Sequence, residues 1–178
     1  MQGISVFHEC LWRFVFQTVS TQLESIPMIE NDEYWMSEAL TAAAEASLIG
    51  EVPIGACLID ENGELLSAAS NRTIIDSDPT AHAEILAIRE AAAKVGNYRL
   101  TGTTLYTTIE PCVMCAGALV NARIKRLVYG AADERFGAVE TLFSLCDHEK
   151  LNHRIEIVPA VLADECRTLI QHFFRKRR

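Results

Sequence analysis

The sequence predicts an α/β protein of three layers, α/β/α, built around a mixed sheet of about five strands. Three observations lead there. Short runs of apolar and β-branched residues alternate with longer helix-forming runs; the first two strand-like runs are joined by a tight turn and so pair antiparallel; the later ones are separated by connections long enough for parallel pairing. With 178 residues, 49% of them hydrophobic and 22% charged, and only 9 Gly and 5 Pro, the chain can bury one sizeable core and shows no low-complexity or collagen-like segment.

The elements follow in order. Asn31 or Asp32 caps a helix over Tyr34 to Ile49, rich in Ala, Glu and Leu, and Gly50 ends it. Ile54 to Asp60 and Glu64 to Ala69 form a hairpin, with Asn62-Gly63 expected to supply the positive φ values of its turn. A polar loop ending at Pro79 leads to a helix from about Ala81 to Val95, then a strand at Thr104 to Ile109. A helix starts after Pro111, which needs no donated backbone hydrogen bond there, and runs to about Ala122. Arg126 to Tyr129 and Ile155 to Val158 are the last strands, with room for one optional helix between them. The final helix, about Ala163 to Arg177, carries an apolar stripe of Leu162, Cys166, Leu169, Ile170 and Phe173.

A net charge of -8 argues against broad coating of nucleic acid, which requires a positive field, and leaves room for a local basic patch. Six cysteines without a secretory signal indicate a reducing compartment, so a cytoplasmic location is expected. The apolar run Leu11 to Val19 is interrupted by Arg13 and too short to span a bilayer, and no membrane partner is expected. Residues 1–30 match neither the helical nor the strand period. They are expected to be an N-terminal extension to a domain at 31–178, with Met28 a candidate translation start that would leave residues 1–27 unmade.

The chemistry concentrates in His82-Ala-Glu84 and Pro111-Cys-Val-Met-Cys115, each at the predicted start of a helix. Cys112 and Cys115, three residues apart, share a helix face and can bind one cation, with His82 as a third ligand. Thiolates suit zinc, and the positive end of a helix favours the thiolate form. Three ligands leave a tetrahedral position for water, the pattern of a catalytic site. Glu84 is better read as a proton shuttle than as a ligand. A CxxC pair alone also fits a redox motif or half of a structural zinc site, for which His148 or His153 offers a fourth ligand. The remaining Cys57, Cys146 and Cys166 sit in apolar settings and read as core.

His-x-Glu followed by Pro-Cys-x-x-Cys is a recognised zinc deaminase signature, and on it the chain resembles the cytidine deaminase-like superfamily. Within that superfamily, Asn71-Arg72, Asp78-Pro-Thr-Ala-His-Ala-Glu-Ile85, Asn97-Tyr-Arg-Leu100, Glu110-Pro-Cys-Val-Met-Cys-Ala-Gly-Ala118, Asn152-His-Arg154 and Leu162-Ala-Asp-Glu-Cys166 are similar to the bacterial tRNA adenosine deaminases. The resemblance spans roughly residues 31–178. It implies a homodimer with one Zn2+ per subunit that converts adenosine to inosine at the wobble position of a tRNA anticodon stem-loop. It further implies that Asn71 hydrogen-bonds the target base, Ala83 offers its backbone amide, Asn152 contacts the anticodon loop, and Asp133 lies near the nucleotide preceding the target. Ala132 stands where an arginine is expected in many relatives, so a positive charge is missing that Arg135 only partly replaces.

A loop adenine needs only unstacking to enter a buried site, whereas a duplex base must be unpaired first. Phe173, Phe174 and Arg175, opening the basic C-terminal cluster, fit contact with bases and phosphate; the two rings fit packing against the core or a second subunit as well. Two other functions stay open from the residues alone. A deaminase of free cytosine, cytidine or guanine would share the zinc site without needing a basic rim. A non-catalytic zinc-stabilised RNA-binding module would have no use for Glu84.

Overall fold

The computed structural model describes residues 31–177. The expectations for an N-terminal extension and a start at Met28 fall outside the described residues. Nine elements follow in chain order: α1 (Asp32–Leu48), β1 (Gly55–Ile59), β2 (Leu65–Ser70), α2 (Ala83–Val95), β3 (Thr104–Ile109), α3 (Val113–Ala122), β4 (Arg126–Ala131), β5 (Glu156–Val158) and α4 (Ala163–Arg175). The strands lie in the order β2-β1-β3-β4-β5. β1 runs antiparallel to both β2 and β3, while β3, β4 and β5 are mutually parallel. The expected mixed sheet of five strands is therefore the one observed.

β1, β3 and β4 are buried almost throughout, as strands covered on both faces must be. Their side chains still alternate between two cores. Leu58, Leu105, Leu127 and Tyr129 point to one face, where Ala91 of α2 and Ala116, Leu119 and Ala122 of α3 cover them. Cys57, Ile59, Tyr106 and Val128 point to the other, beneath Trp35, Met36 and Ala39 of α1 and Cys166 of α4. The period of two along each strand sorts its side chains into the two outer layers.

α1 approaches β1 closely because its inner face is alanine: Ala39, Ala42, Ala43 and Ala46 are all buried. Gly55 completes the fit. A Cβ there would overlap the Ala39 carbonyl oxygen and stand 2.5 Å from the Ala43 nitrogen, two backbone atoms that no rotamer change can move. Gly55→Ala is expected to destabilise the fold by about 3 kcal/mol or more, at the upper end of overpacking costs, read as a lowered urea midpoint.

An ion pair ties the start of α1 to the sheet. Asp32 receives both Arg126 Nη1 and Nη2, at 2.7 and 2.8 Å, and the Tyr106 hydroxyl at 3.0 Å. Arg126, followed by burial working the other way and then by Tyr106, holds the Asp32 carboxyl below the usual range. Since the folded-state pKa lies below the unfolded one, the stabilisation is full above about pH 4 and fades as the pH falls through the lowered value. Asp32→Asn is expected to cost about 1–2 kcal/mol in thermal melts at pH 7, and less as the medium is acidified below about pH 4.

One local expectation is corrected. The hairpin turn does not rest on positive φ at Asn62: only Gly63 takes it (φ 79°), and Asp60 Oδ1 accepts the Asn62 and Glu64 amides to shape the five-residue loop. As expected, α3 follows Pro111: it begins at Val113 with Cys112 as its N-cap, and Pro111 gives its carbonyl to the Ala138 amide. No helix forms between β4 and β5, because the amides of residues 139–141 donate to the Glu110 carboxylate.

Candidate active site

α2 and α3 bring their N-termini together. His82 is the N-cap of α2 and Cys112 the N-cap of α3, both with extended backbone and neither making a side-chain capping bond. Capping side chains are worth about 1 kcal/mol each and are normally Ser, Thr, Asn or Asp. Here the positions are given to ligands.

The three donor atoms form a triangle. Cys112 Sγ and Cys115 Sγ lie 3.7 Å apart, and His82 Nδ1 lies 3.7 Å from the first and 3.6 Å from the second. A tetrahedral zinc ion with the usual bond lengths spans S···S edges of about 3.8 Å and S···N edges of about 3.6 Å, so the side chains match its outline. Among the described residues no further His, Cys, Asp or Glu joins the cluster. His153 Nε2 is 2.7 Å from the Ile124 carbonyl oxygen and His148 Nδ1 accepts the Lys150 amide, so neither closes the site as a fourth ligand. Three ligands with a position left open is the arrangement of a catalytic rather than a structural zinc centre.

The local electrostatics suit a cation. Hydrogen bonding from Cys115, and then from His82 against the opposing effect of burial, lowers the Cys112 thiol to about 4. Cys115, the donor of that bond and itself buried, is pushed up. His82 is raised by its contact with Cys112. Lowering one thiol favours the thiolate that a cation requires, and the second proton leaves when a cation competes for it. Glu84, in the first turn of α2, is only 4% exposed; burial raises its pKa against the pull of His82.

The comparisons with known proteins converge on this site. The family model for the cytidine and deoxycytidylate deaminase zinc-binding region matches residues 29–131, which contain all three donors and Glu84. The chain is 48% identical over 149 residues to a tRNA-specific adenosine deaminase of Haemophilus influenzae, covering 84% of this chain and 86% of that one. The chain belongs to the tRNA-specific adenosine deaminase family. A member from Bacillus subtilis is 46% identical over 147 residues, covering 83% and 91% of the two chains. A structure solved in a study of A-to-I editing by tRNA:A34 deaminases at the wobble position superposes with TM-score 0.73 at 40% identity, covering 76% of this chain and 98% of that one. A guanine deaminase from Nitrosomonas europaea shares the fold at TM-score 0.67 with 27% identity, covering 79% and 83%. The free-base alternative is the less favoured of the two. Of the described residues, no helix is long and apolar enough to cross a membrane.

In this tRNA-specific adenosine deaminase family member, the other expected site residues are distributed unevenly around the centre. Asn71 is buried, and its Oδ1 accepts the Ala83 amide at 3.2 Å. That bond fixes the carboxamide orientation and leaves the Asn71 amide group as a donor, while the Ala83 N–H is engaged within the chain. Asp133 is half-buried and shapes its own turn: Oδ1 accepts the Arg135 and Phe136 amides. Asn152 is exposed, held through its carbonyl by Arg123 Nη1 at 2.9 Å. On α4, Phe173 is buried with the Arg177 guanidinium 4.2 Å from its ring centre, so of the aromatic pair only Phe174 presents a ring to solvent, beside exposed Arg175. Arg177 also donates to the Gly50 carbonyl.

Two buried carboxylates went unread in the sequence. Glu51 accepts the Ile74 and Ile75 amides, both at 2.7 Å, and fixes the loop between Asn71 and His82. Glu110 does the same for the loop after β4. The available signal was a glutamate among apolar residues at a strand end, directly before Pro-Cys.

Proposed function

We propose that this chain hydrolyses adenosine to inosine at the wobble position of a tRNA anticodon, as a cytoplasmic homodimer with residues 31–178 as its catalytic domain. The observation that carries the reading is a three-ligand zinc site with an adjoining buried carboxylate, in a chain 48% identical to a tRNA-specific adenosine deaminase.

Zinc held by His82, Cys112 and Cys115 supplies a Lewis acid that brings a water pKa to about 7. Glu84 accepts a proton from the attacking water and delivers it to the purine ring nitrogen, then accepts the proton of the hydroxyl left on C6 and delivers it to the exocyclic amine. Oxygen adds at C6, the C6–N bond breaks, ammonia leaves and inosine remains. Water exclusion around Glu84 keeps those protons on the reaction path. The Asn71 amide group donates to the base; the Ala83 amide, bonded to Asn71, acts by orienting that side chain. Asp133 and Asn152 border the anticodon loop, and Phe174 with Arg175 contacts RNA from α4. Apolar Val113, Leu142 and Phe143 are each about half exposed and offer surface for a second copy.

The deciding measurement is inosine formation by the zinc-loaded protein on an anticodon stem-loop with adenine at the wobble position, run beside free adenosine, cytidine and guanine. Turnover confined to the stem-loop is the expected outcome. Turnover confined to a free base or nucleoside would retain the zinc chemistry and remove the RNA substrate. Sedimentation of the same sample should give twice the chain mass.

A further inference from the structure

The loop after β4 is built around one carboxylate. Glu110, 2% exposed, lies at the end of β3 and is joined to the zinc ligand Cys112 through Pro111. Its Oε1 accepts the amides of Val139, Glu140 and Thr141 at 3.1, 2.8 and 3.0 Å; its Oε2 accepts the Asp133 amide at 3.2 Å and the Thr141 hydroxyl. Five donors converge on a group that can only accept, a set no neutral side chain of that size satisfies. Gly137 packs against it so tightly that a Cβ would stand 2.5 Å from Glu110 Cδ and 2.6 Å from the Asp133 carbonyl oxygen. Gly137 also bridges to Cys112, and the Ala138 amide bonds the Pro111 carbonyl at 2.9 Å.

The one large apolar side chain this pinned turn leaves in water is Phe136, 66% exposed. It sits one residue from the backbone that pairs with Cys112, beside exposed Arg135. Asp133 Oδ1 holds the Phe136 amide at 3.2 Å, so the ring projects from a fixed backbone. An exposed aromatic on rigid backbone next to a cation is the composition of a base-stacking platform. We propose that Phe136 stacks on a nucleobase of the RNA at the lip of the active site, and that Glu110, touching neither substrate nor metal, is the positioning residue that holds it there. This rests on the RNA-deaminase reading above.

The test compares wild type, Phe136→Ala, Phe136→Trp and Glu110→Gln on the anticodon stem-loop, with zinc content and sedimentation measured for each. Phe136→Ala is expected to raise KM about tenfold with kcat little changed, the loss that follows from one base stack. Phe136→Trp should restore wild-type KM, which a merely structural ring would not require. Glu110→Gln should raise KM in the same way with zinc retained; should it fail to fold, Thr141→Val removes one of the five donors and is expected to move KM in the same direction. Unchanged KM in Phe136→Ala overturns the proposal, and altered sedimentation alongside would assign the ring to contact between copies. Wild-type activity on a free base alone is a separate result that removes the RNA reading and this proposal with it.

Discussion

Glu84→Gln is expected to lower turnover by about 10³-fold or more while one zinc ion stays bound per chain, because each proton transfer it serves is worth roughly 10²–10⁴. Glutamine keeps the volume and a hydrogen-bonding carbonyl in a position that is 4% exposed, so packing is preserved and only proton exchange is lost. Metal analysis and single-turnover inosine formation on the same sample separate the two. Turnover within a few-fold of wild type would refute the shuttle role. Loss of zinc together with activity would show that Glu84 acts through the metal geometry instead.

Cys112→Ala is expected to have the larger structural effect. It removes one corner of the triangle formed with Cys115 and His82, leaving two ligands, and zinc content should fall towards zero with turnover at background. Stability should fall as well, because metal bound to the folded state alone adds folding free energy that rises with occupancy. Calorimetry of wild type with and without chelator supplies the comparison. The chelated wild type and the variant are expected to melt close together, both below the loaded protein. A variant that kept full zinc and activity would show that another group ligates.

Much of the site was legible because its chemistry is local in sequence. His82 and Glu84 are two residues apart, Cys112 and Cys115 three, and each pair opens a helix that composition and period already mark. The layers were legible because β1, β3 and β4 are short apolar and β-branched runs set between longer helix-forming ones. What escaped was held by contacts of long sequence separation. Glu110 meets its donors 23 to 31 residues away, and four of the five are backbone amides, which carry no side-chain signature. The hairpin escaped differently: Asn62-Gly63 advertises two positive φ values, but the Asp60 carboxylate takes the Asn62 and Glu64 amides and shapes the loop with only Gly63 in that region. Phe173 was ambiguous as sequence, because an aromatic at the inner spacing of an amphipathic helix serves core and ligand equally well; burial assigns it to packing within this chain.

The capping positions of α2 and α3 carry a consequence for how the enzyme is assembled. Two helix starts, each with a partial positive charge of roughly +0.5, meet around one ligand triangle. Like poles at that range repel, and neither start has a side-chain cap to soften the repulsion. The sulfur atoms of Cys112 and Cys115, once ionised, place negative charge between the poles. The residues that hold the reactive centre therefore act also as the electrostatic keystone of one outer layer.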